Sequence, residues 1–271
     1  MLRRQPHPTV LAIAAHPDDI EFVMGGTLLL LGARGWELHY LNLSTGNLGS
    51  TTRSPAKTAQ VRRREARAAA QELGAVWHAP FCNDLEIFYD ARALRRLAAV
   101  IRAVAPDAIL THSPQDYMED HMNTCRLAVS AAFIRAMPGY RTVPKTRAIQ
   151  KPVTIYHANP HGLRDGLRRR VHPGAFVDTT TVHERKTSAL RCHRSQEQFL
   201  DVTQGMSSYL RTMDDLSREV GALSGRFVHA EGWRRRLHWG FCGLDDDPLR
   251  AALGERYLIN LRYEESLNDA P

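Results

Sequence analysis

The chain has 271 residues, 43% of them hydrophobic and 24% charged, a balance that supports one full core and excludes a disordered or collagen-like chain. No apolar run is long enough to cross a bilayer, and the start "MLRRQPHPTV" leads straight into a strand rather than an apolar leader, so the expected compartment is the cytoplasm. The formal charge of +7 is spread over "RRREAR", "LRRLAAVIR", "LRRR" and "WRRRL" with no zinc-finger, RNP or glycine-arginine tract beside them, so nucleic acid is not an expected partner.

The first element is "TVLAIAA" (9–15), a continuous apolar run suited to a central parallel strand buried on both faces. A helix over 25–31 is closed by Gly32 and Gly35, and "WELHYLNLS" (36–44) is the second strand. The polar "TGNLGSTTRSPAKTAQ" forms a long loop at that strand's carboxyl end, before a helix over 61–75 with a glycine stop. "VWHAPF" is a third strand, 91–106 an amphipathic helix ended by proline, "DAILTHS" (107–113) a fourth strand and 119–137 a further helix. Repeated strand–loop–helix units predict an α/β fold with a mostly parallel sheet flanked by helices.

After Pro138 the pattern loosens. "VTIYHANP" (153–160) and "AFVDTT" (175–180) read as strands, and 183–199 as a single helix. One domain is expected over 1–271, with a core at about 9–200 and a C-terminal cap region at about 200–271. Cys82, Cys125, Cys192 and Cys242 are scattered without a CxxC pair and read as reduced thiols. The first turn lacks GxGxxG, which argues against a dinucleotide site.

Ligands of an open parallel sheet bind outside the carboxyl ends of its strands. Two such ends are rich in polar groups: "HPDD" after the first strand and "THSPQDYMEDH" (111–121) after the fourth. His16 and His121 offer nitrogens, and one carboxylate of the Asp18–Asp19 pair offers an oxygen, a normal set for catalytic zinc with an open position. Adjacent side chains diverge, so the other carboxylate suits a base that takes a proton from water whose pKa the metal has lowered. A plainer reading makes Asp18 or Asp19 a helix N-cap, with Pro17 stiffening the turn.

"AHPDDIEFVMGGTLLLL" closely resembles the opening signature of the LmbE-like, or PIG-L, family of zinc-dependent N-acetylglucosaminyl deacetylases. "VRRREARAAAQELGA" resembles the family's Arg-x-x-Glu helix, "THSPQDYMEDH" its second metal segment, and "FVDTTTVHERKTSALRCHRSQ" its late Asp…Lys…His-x-Ser-Gln segment, so the likeness runs over about 9–200. The resemblance implies a Rossmann-like sheet, zinc held by His16, Asp19 and His121, Asp18 as general base and Arg62 reaching into the substrate pocket. It also implies removal of acetate from an N-acetylglucosaminyl-type small molecule, and a homo-oligomer.

One position departs from the family pattern. Many members carry a histidine three residues before the last ligand, to steady the oxyanion or protonate the leaving amine, where this chain has Met118. His193, in "HRSQ", is the first candidate to replace it, with His161, His157 and Tyr117 behind it; His78, His112 and His172 have weaker claims. Asn47, Arg62, Asp84 and Asn159 can supply the donors and acceptors that a hydroxyl-rich ligand needs, with His161 beside them. An amidase for a larger acyl or thiol conjugate, or a non-catalytic zinc-binding protein, are the other readings of the same residues.

Overall fold

The computed structural model describes residues 7–204 and 209–268. Residues 1–6 of the basic start, and 205–208 and 269–271 of the expected cap region, lie outside the described residues. The elements in chain order are β1 (Thr9–Ala14), α1 (Asp19–Val23), α2 (Gly25–Ala33), β2 (Glu37–Asn42), α3 (Pro55–Leu73), β3 (Val76–Trp77), α4 (Ala91–Val104), β4 (Ala108–Thr111), α5 (Glu119–Phe133) and β5 (Thr154–Ala158). There follow β6 (Ala175–Asp178), α6 (His183–Leu190), α7 (Arg194–Gln204), α8 (Tyr209–Ser224), β7 (Ala230–Arg235), α9 (Pro248–Leu253), β8 (Tyr257–Ile259) and α10 (Leu261–Ser266).

The strands form one sheet in the order β3-β2-β1-β4-β5-β7-β6-β8. Pairing is parallel from β3 through β5 and antiparallel from β5 onward. The expected mostly parallel α/β sheet is thus present, with a mixed edge. β1 carries the alternation of a doubly covered strand. Val10, Ala12 and Ala14 pack with α2, α3, α6 and α9, whereas Leu11, Ile13 and Ala15 pack with α4 and α5 on the other face. Each fully buried Val, Leu or Ile contributes about 1.5–3 kcal/mol, so this strand is a main anchor of both layers.

Local signals set the helix ends. Ser54 caps α3 by accepting from the Lys57 amide, Pro55 opens it, and Gly74 at φ 75° closes it. The stretch read as one helix over 183–199 is two, because α6 stops at Leu190 and α7 begins at Arg194, with His193 fully buried between them. The C-terminal third also does more than cover the sheet: β7 inserts antiparallel between β5 and β6, and β8 extends the edge.

"AEGWRR" does not look like a buried strand because Glu231 lies at its centre. That carboxylate accepts from the Gly26 and Thr27 amides, both at 2.8 Å, and from the Thr27 hydroxyl at 2.6 Å, and it pairs with buried Lys186 at 2.9 Å. A charge so fully partnered can be buried at the first turn of α2, where the helix dipole favours it. Among the described residues no helix is long and apolar enough to cross a membrane.

Candidate active site

Strand order reverses between β1 and β4, so their carboxyl ends open onto the crevice where parallel sheets bind ligands. The turn after β1 is closed by Asp19, whose Oδ2 accepts from the His16 amide at 2.7 Å, while Asn42 donates to the His16 carbonyl at 2.6 Å. Asp18 sits at φ 110°, outside the comfortable range of a non-glycine residue, a conformation that costs on the order of 1–3 kcal/mol. It occupies the N-cap position of α1 but makes no side-chain cap bond. Its carboxylate Oδ2 instead accepts from the Tyr209 hydroxyl at 2.6 Å and lies 3.5 Å from Arg62 Nη2. The capping interpretation therefore does not describe Asp18.

The segment after β4 brings up the other half. His121 Nε2 lies 3.4 Å from Asp19 Oδ1, and His16 Nδ1 lies 3.5 Å from Asp19 Oδ2. Ligand atoms of His16, Asp19 and His121 all fall within 4.8 Å of one another. The remote nitrogen of each imidazole is held by a carboxylate, His16 Nε2 by Asp120 at 2.9 Å and His121 Nδ1 by Asp116 at 3.0 Å. Such outer carboxylates orient histidine ligands and raise their basicity. A third imidazole, His112, brings Nε2 to 3.3 Å from Asp19 Oδ2, but it is His16 and His121, each braced from behind by a carboxylate, that with Asp19 fit a divalent metal of the zinc class.

Without a metal, the site's carboxylates draw protons onto the two imidazoles, protons that an ion would displace on binding. Burial pulls the pKa of His16 down, but Asp120 and Asp19 outweigh it and push the ring up to about 9. Burial likewise opposes the charge on His121, yet Asp19 and Asp116 push it up to about 10. Asp19 is held well below the usual carboxylate range, because the charge of His121 overcomes the burial that would raise it. Asp18 moves the other way: burial raises it, against the pull of Arg62 and Tyr209. One carboxylate is thus pinned as an anion among cations, and its neighbour is poised nearer neutrality as a proton acceptor.

His112 belongs to this cluster, stacked on His121 with ring centroids 4.1 Å apart. The Ala15 amide donates to its Nε2 at 2.9 Å, so the ring carries its proton on Nδ1. Burial lowers its pKa and keeps it neutral.

The site opens into a cavity of about 490 Å³, lined among others by Arg62, Asp84, Tyr117, Met118, Asn159 and His161. Arg62, 2% exposed, donates to the Pro17 carbonyl and to Gln196 Oε1. Its way in is a gap left by glycines: a Cβ on Gly46 would stand 2.6 Å from Arg62 Cδ, and one on Gly49 2.5 Å from Nη1. One turn along α3, Glu65 accepts from the Ser195 amide and hydroxyl at 2.9 and 2.6 Å. The Arg-x-x-Glu and Ser-Gln segments are therefore two sides of one contact.

The remaining candidates separate. Asp84 is on the wall, accepting from Ser44 Oγ at 2.5 Å and from the Leu48 amide at 2.9 Å. Asn47 is not among the lining residues; its Oδ1 accepts from the Asp84 amide at 2.8 Å and braces that wall. Asn159 faces the cavity while its Nδ2 donates to the Val171 carbonyl at 2.6 Å. His161 lines the cavity, edge-on to Phe22 at 5.3 Å, with burial lowering its pKa. His193 is behind the site, fully buried with Nε2 3.4 Å from Glu21 Oε1, and not among the lining residues. His157 is also behind it, bonded through Nδ1 to the His112 carbonyl at 2.9 Å.

Sequence reasoning missed Asp116, Asp120, Gln196 and Tyr209. Asp116 and Asp120 had a signal, since both flank His121 in "QDYMEDH", and Gln196 closes "HRSQ". Tyr209 had none, because it lies beyond the segments that carry the resemblance.

Comparison with known proteins matches this chain to one family. The profile of GlcNAc-PI de-N-acetylase, PIG-L, matches residues 11–132. The chain is 32% identical over 236 residues to 4-oxalmesaconate hydratase of Pseudomonas putida, covering 84% of this chain and 88% of the relative. It is 31% identical over 232 residues to diacetylchitobiose deacetylase of Thermococcus kodakarensis, covering 83% and 82%. The crystal structure of GalB, the 4-carboxy-2-hydroxymuconate hydratase of Pseudomonas putida, superposes with a TM-score of 0.71 at 27% identity, covering 89% of this chain and 99% of that one. Relatives thus include both deacetylases and a hydratase, and the chain belongs to the PIG-L (LmbE-like) family.

Proposed function

We propose that the chain is a zinc-dependent N-deacetylase that frees acetate from an N-acetylglucosaminyl-type small molecule. The observation that carries this reading is the pairing of two adjacent carboxylates with opposite surroundings, Asp19 between His16 and His121 and Asp18 between Tyr209 and Arg62. His16, Asp19 and His121 would hold the zinc, which when bound would supply Lewis acidity to water and to an acyl carbonyl. Asp18 accepts the proton of the attacking water, with Tyr209 and Arg62 fixing which oxygen does so. Asp84, Asn159 and Arg62 offer polar groups to sugar hydroxyls along the wall.

Met118 cannot donate to the oxyanion or the leaving amine. Of the imidazoles on the cavity wall, His16 and His121 point at Asp19 and His112 is tied to the Ala15 amide. His161 is left to face the substrate, and it takes the donor role here in place of His193.

A second reading is hydration of a carbon–carbon double bond in an unsaturated carboxylate. Met118 favours it, because addition of water releases no amine that needs a proton, and a hydratase is among the relatives. Zinc-loaded enzyme incubated with N-acetylglucosaminyl compounds, including diacetylchitobiose, should release acetate and a free amine, with Asp18→Asn as the blank. Loss of the ultraviolet absorbance of an enoic di- or tricarboxylate, without acetate release from any amino sugar, would replace the deacetylase reading with the hydratase one.

A further inference from the structure

Away from the cavity, three side chains from distant parts of the chain meet at one point. His183 opens α6, Asp214 lies on α8, and His229 directly precedes β7. None of them lines the active-site cavity. His183 Nε2 is 2.8 Å and His229 Nε2 3.0 Å from the same oxygen, Asp214 Oδ1. The two rings stack with centroids 3.8 Å apart and 11° between planes, so both Nε2 atoms point the same way.

Hydrogen bonding alone accounts poorly for this arrangement. Both Nδ1 atoms are buried without a hydrogen-bond partner among the described residues, whether Nε2 donates to Oδ1 or binds an ion, so the convergence of the two Nε2 atoms on one oxygen is what calls for an account. As plain hydrogen bonds, two stacked rings crowd one carboxylate oxygen. A divalent cation would instead accept a lone pair from each Nε2 and from Oδ1 at once.

We propose that His183, Asp214 and His229 form a second, structural metal site for a zinc-class divalent ion. The ligand chemistry selects the ion: two imidazoles and one carboxylate suit zinc and its transition-metal neighbours rather than magnesium or calcium, which take oxygen shells. The ligands are also braced. Arg218 holds the other oxygen of Asp214 at 2.7 Å, leaving Oδ1 to the rings. The His229 backbone is held by the Thr180 hydroxyl at 3.2 Å and the Thr179 amide at 3.0 Å. With Asp214 33% exposed and the histidines 11% and 10%, an ion has a route in from solvent. Such an ion would clamp α8 to α6 and to the start of β7, and α8 is the helix whose first residue, Tyr209, reaches Asp18.

The test counts zinc by mass spectrometry in full-length protein that has been chelated, reloaded with zinc and desalted. Wild type should hold two ions per chain. His16→Ala/His121→Ala, which removes the active-site histidines, should keep one and still gain melting temperature on zinc addition. Adding Asp214→Asn to that background should remove the remaining ion and the thermal gain. Asp214→Asn keeps side-chain volume; should it nonetheless misfold, His229→Gln in the same background gives the same readout. The proposal is overturned if His16→Ala/His121→Ala binds no zinc, or if its zinc content is indifferent to both Asp214→Asn and His229→Gln.

Discussion

The hydroxyl of Tyr209 donates to Asp18 Oδ2 at 2.6 Å across 191 residues of chain. It holds the carboxylate in a backbone conformation that the turn would not choose unaided. Hydrogen bonds to charged groups are worth about 1.5–3 kcal/mol, so Tyr209→Phe should lower turnover by about tenfold to a hundredfold. Zinc content should be unchanged, and steady-state kinetics on metal-loaded protein read the effect.

The two aspartates should part company. Asp18→Asn is nearly isosteric and should keep zinc while losing on the order of 10²–10⁴ in turnover, the worth of a general base. Asp19→Asn should lose the metal. Asp120→Asn, one shell out from His16, should weaken zinc by about 10–100-fold. Competition with a chromogenic chelator measures all three, and unchanged turnover in Asp18→Asn would remove it from the mechanism.

His161 and His193 give a second separation. His161→Ala should cost on the order of 10²–10³ in turnover, as removal of an oxyanion donor does. His193→Ala should act on stability instead, lowering the melting temperature while the folded fraction keeps its turnover, because His193 is packed against Glu21 inside the protein. The reverse pattern would move the donor to His193.

Gly49 tests the seating of Arg62. An added methyl there would stand 2.5 Å from Arg62 Nη1 and 2.8 Å from Gln196 Oε1. Gly49→Ala should push the guanidinium out of place and lower kcat/KM by about tenfold to a hundredfold, the scale of a 1 Å misplacement. Gly139→Ala, which meets no neighbour within 4 Å, is the matched control and should behave as wild type.

A pH effect on stability should come from His78, whose Nε2 is 2.8 Å from His39 Nδ1. Burial, then the neighbouring His39, lowers its pKa to about 4. The unfolded chain, with an ordinary imidazole pKa near 6.5, takes up a proton that the folded one refuses as pH falls from about 6.5 to 4. This contribution is complete above pH 6.5 and is lost progressively below it. Melting temperature should therefore drop more between pH 7 and 5 in wild type than in His78→Gln.

What could be read from the sequence was what is local. His16, Asp18 and Asp19 share one turn, and β1, β2 and β4 announce themselves as apolar runs, so the parallel half of the sheet and the turn that bears the candidate ligands were legible. β7 was not, because a Glu-Gly-Trp-Arg stretch becomes a buried strand only once Lys186 and the amides of α2 neutralise Glu231. The break between α6 and α7 was hidden for a similar reason: nothing in "LRCHRS" stops a helix by itself. His193 shows the limit most clearly, since its place in a motif said that it mattered but not that Glu21 would be its neighbour.

The Glu231 contact also sets an order of events during synthesis. Its two carboxylate oxygens hold the opening amides of α2, and Trp233 Nε1 donates to the Thr27 hydroxyl at 3.0 Å, so one of the last strands made completes one of the first helices. A ribosome that has emitted the first 200 residues has delivered every candidate ligand of the proposed metal at Asp19, yet β6 still lacks β7, the strand that joins it to β5. Until β7 emerges, the nascent chain carries a potential ion-binding turn on an open sheet with an unpaired edge. Pairings this distant in sequence slow folding, and an exposed edge invites association with other chains. Expression trials should therefore find C-terminal truncations before Arg235 aggregating, although they retain the whole of the segment that resembles the family.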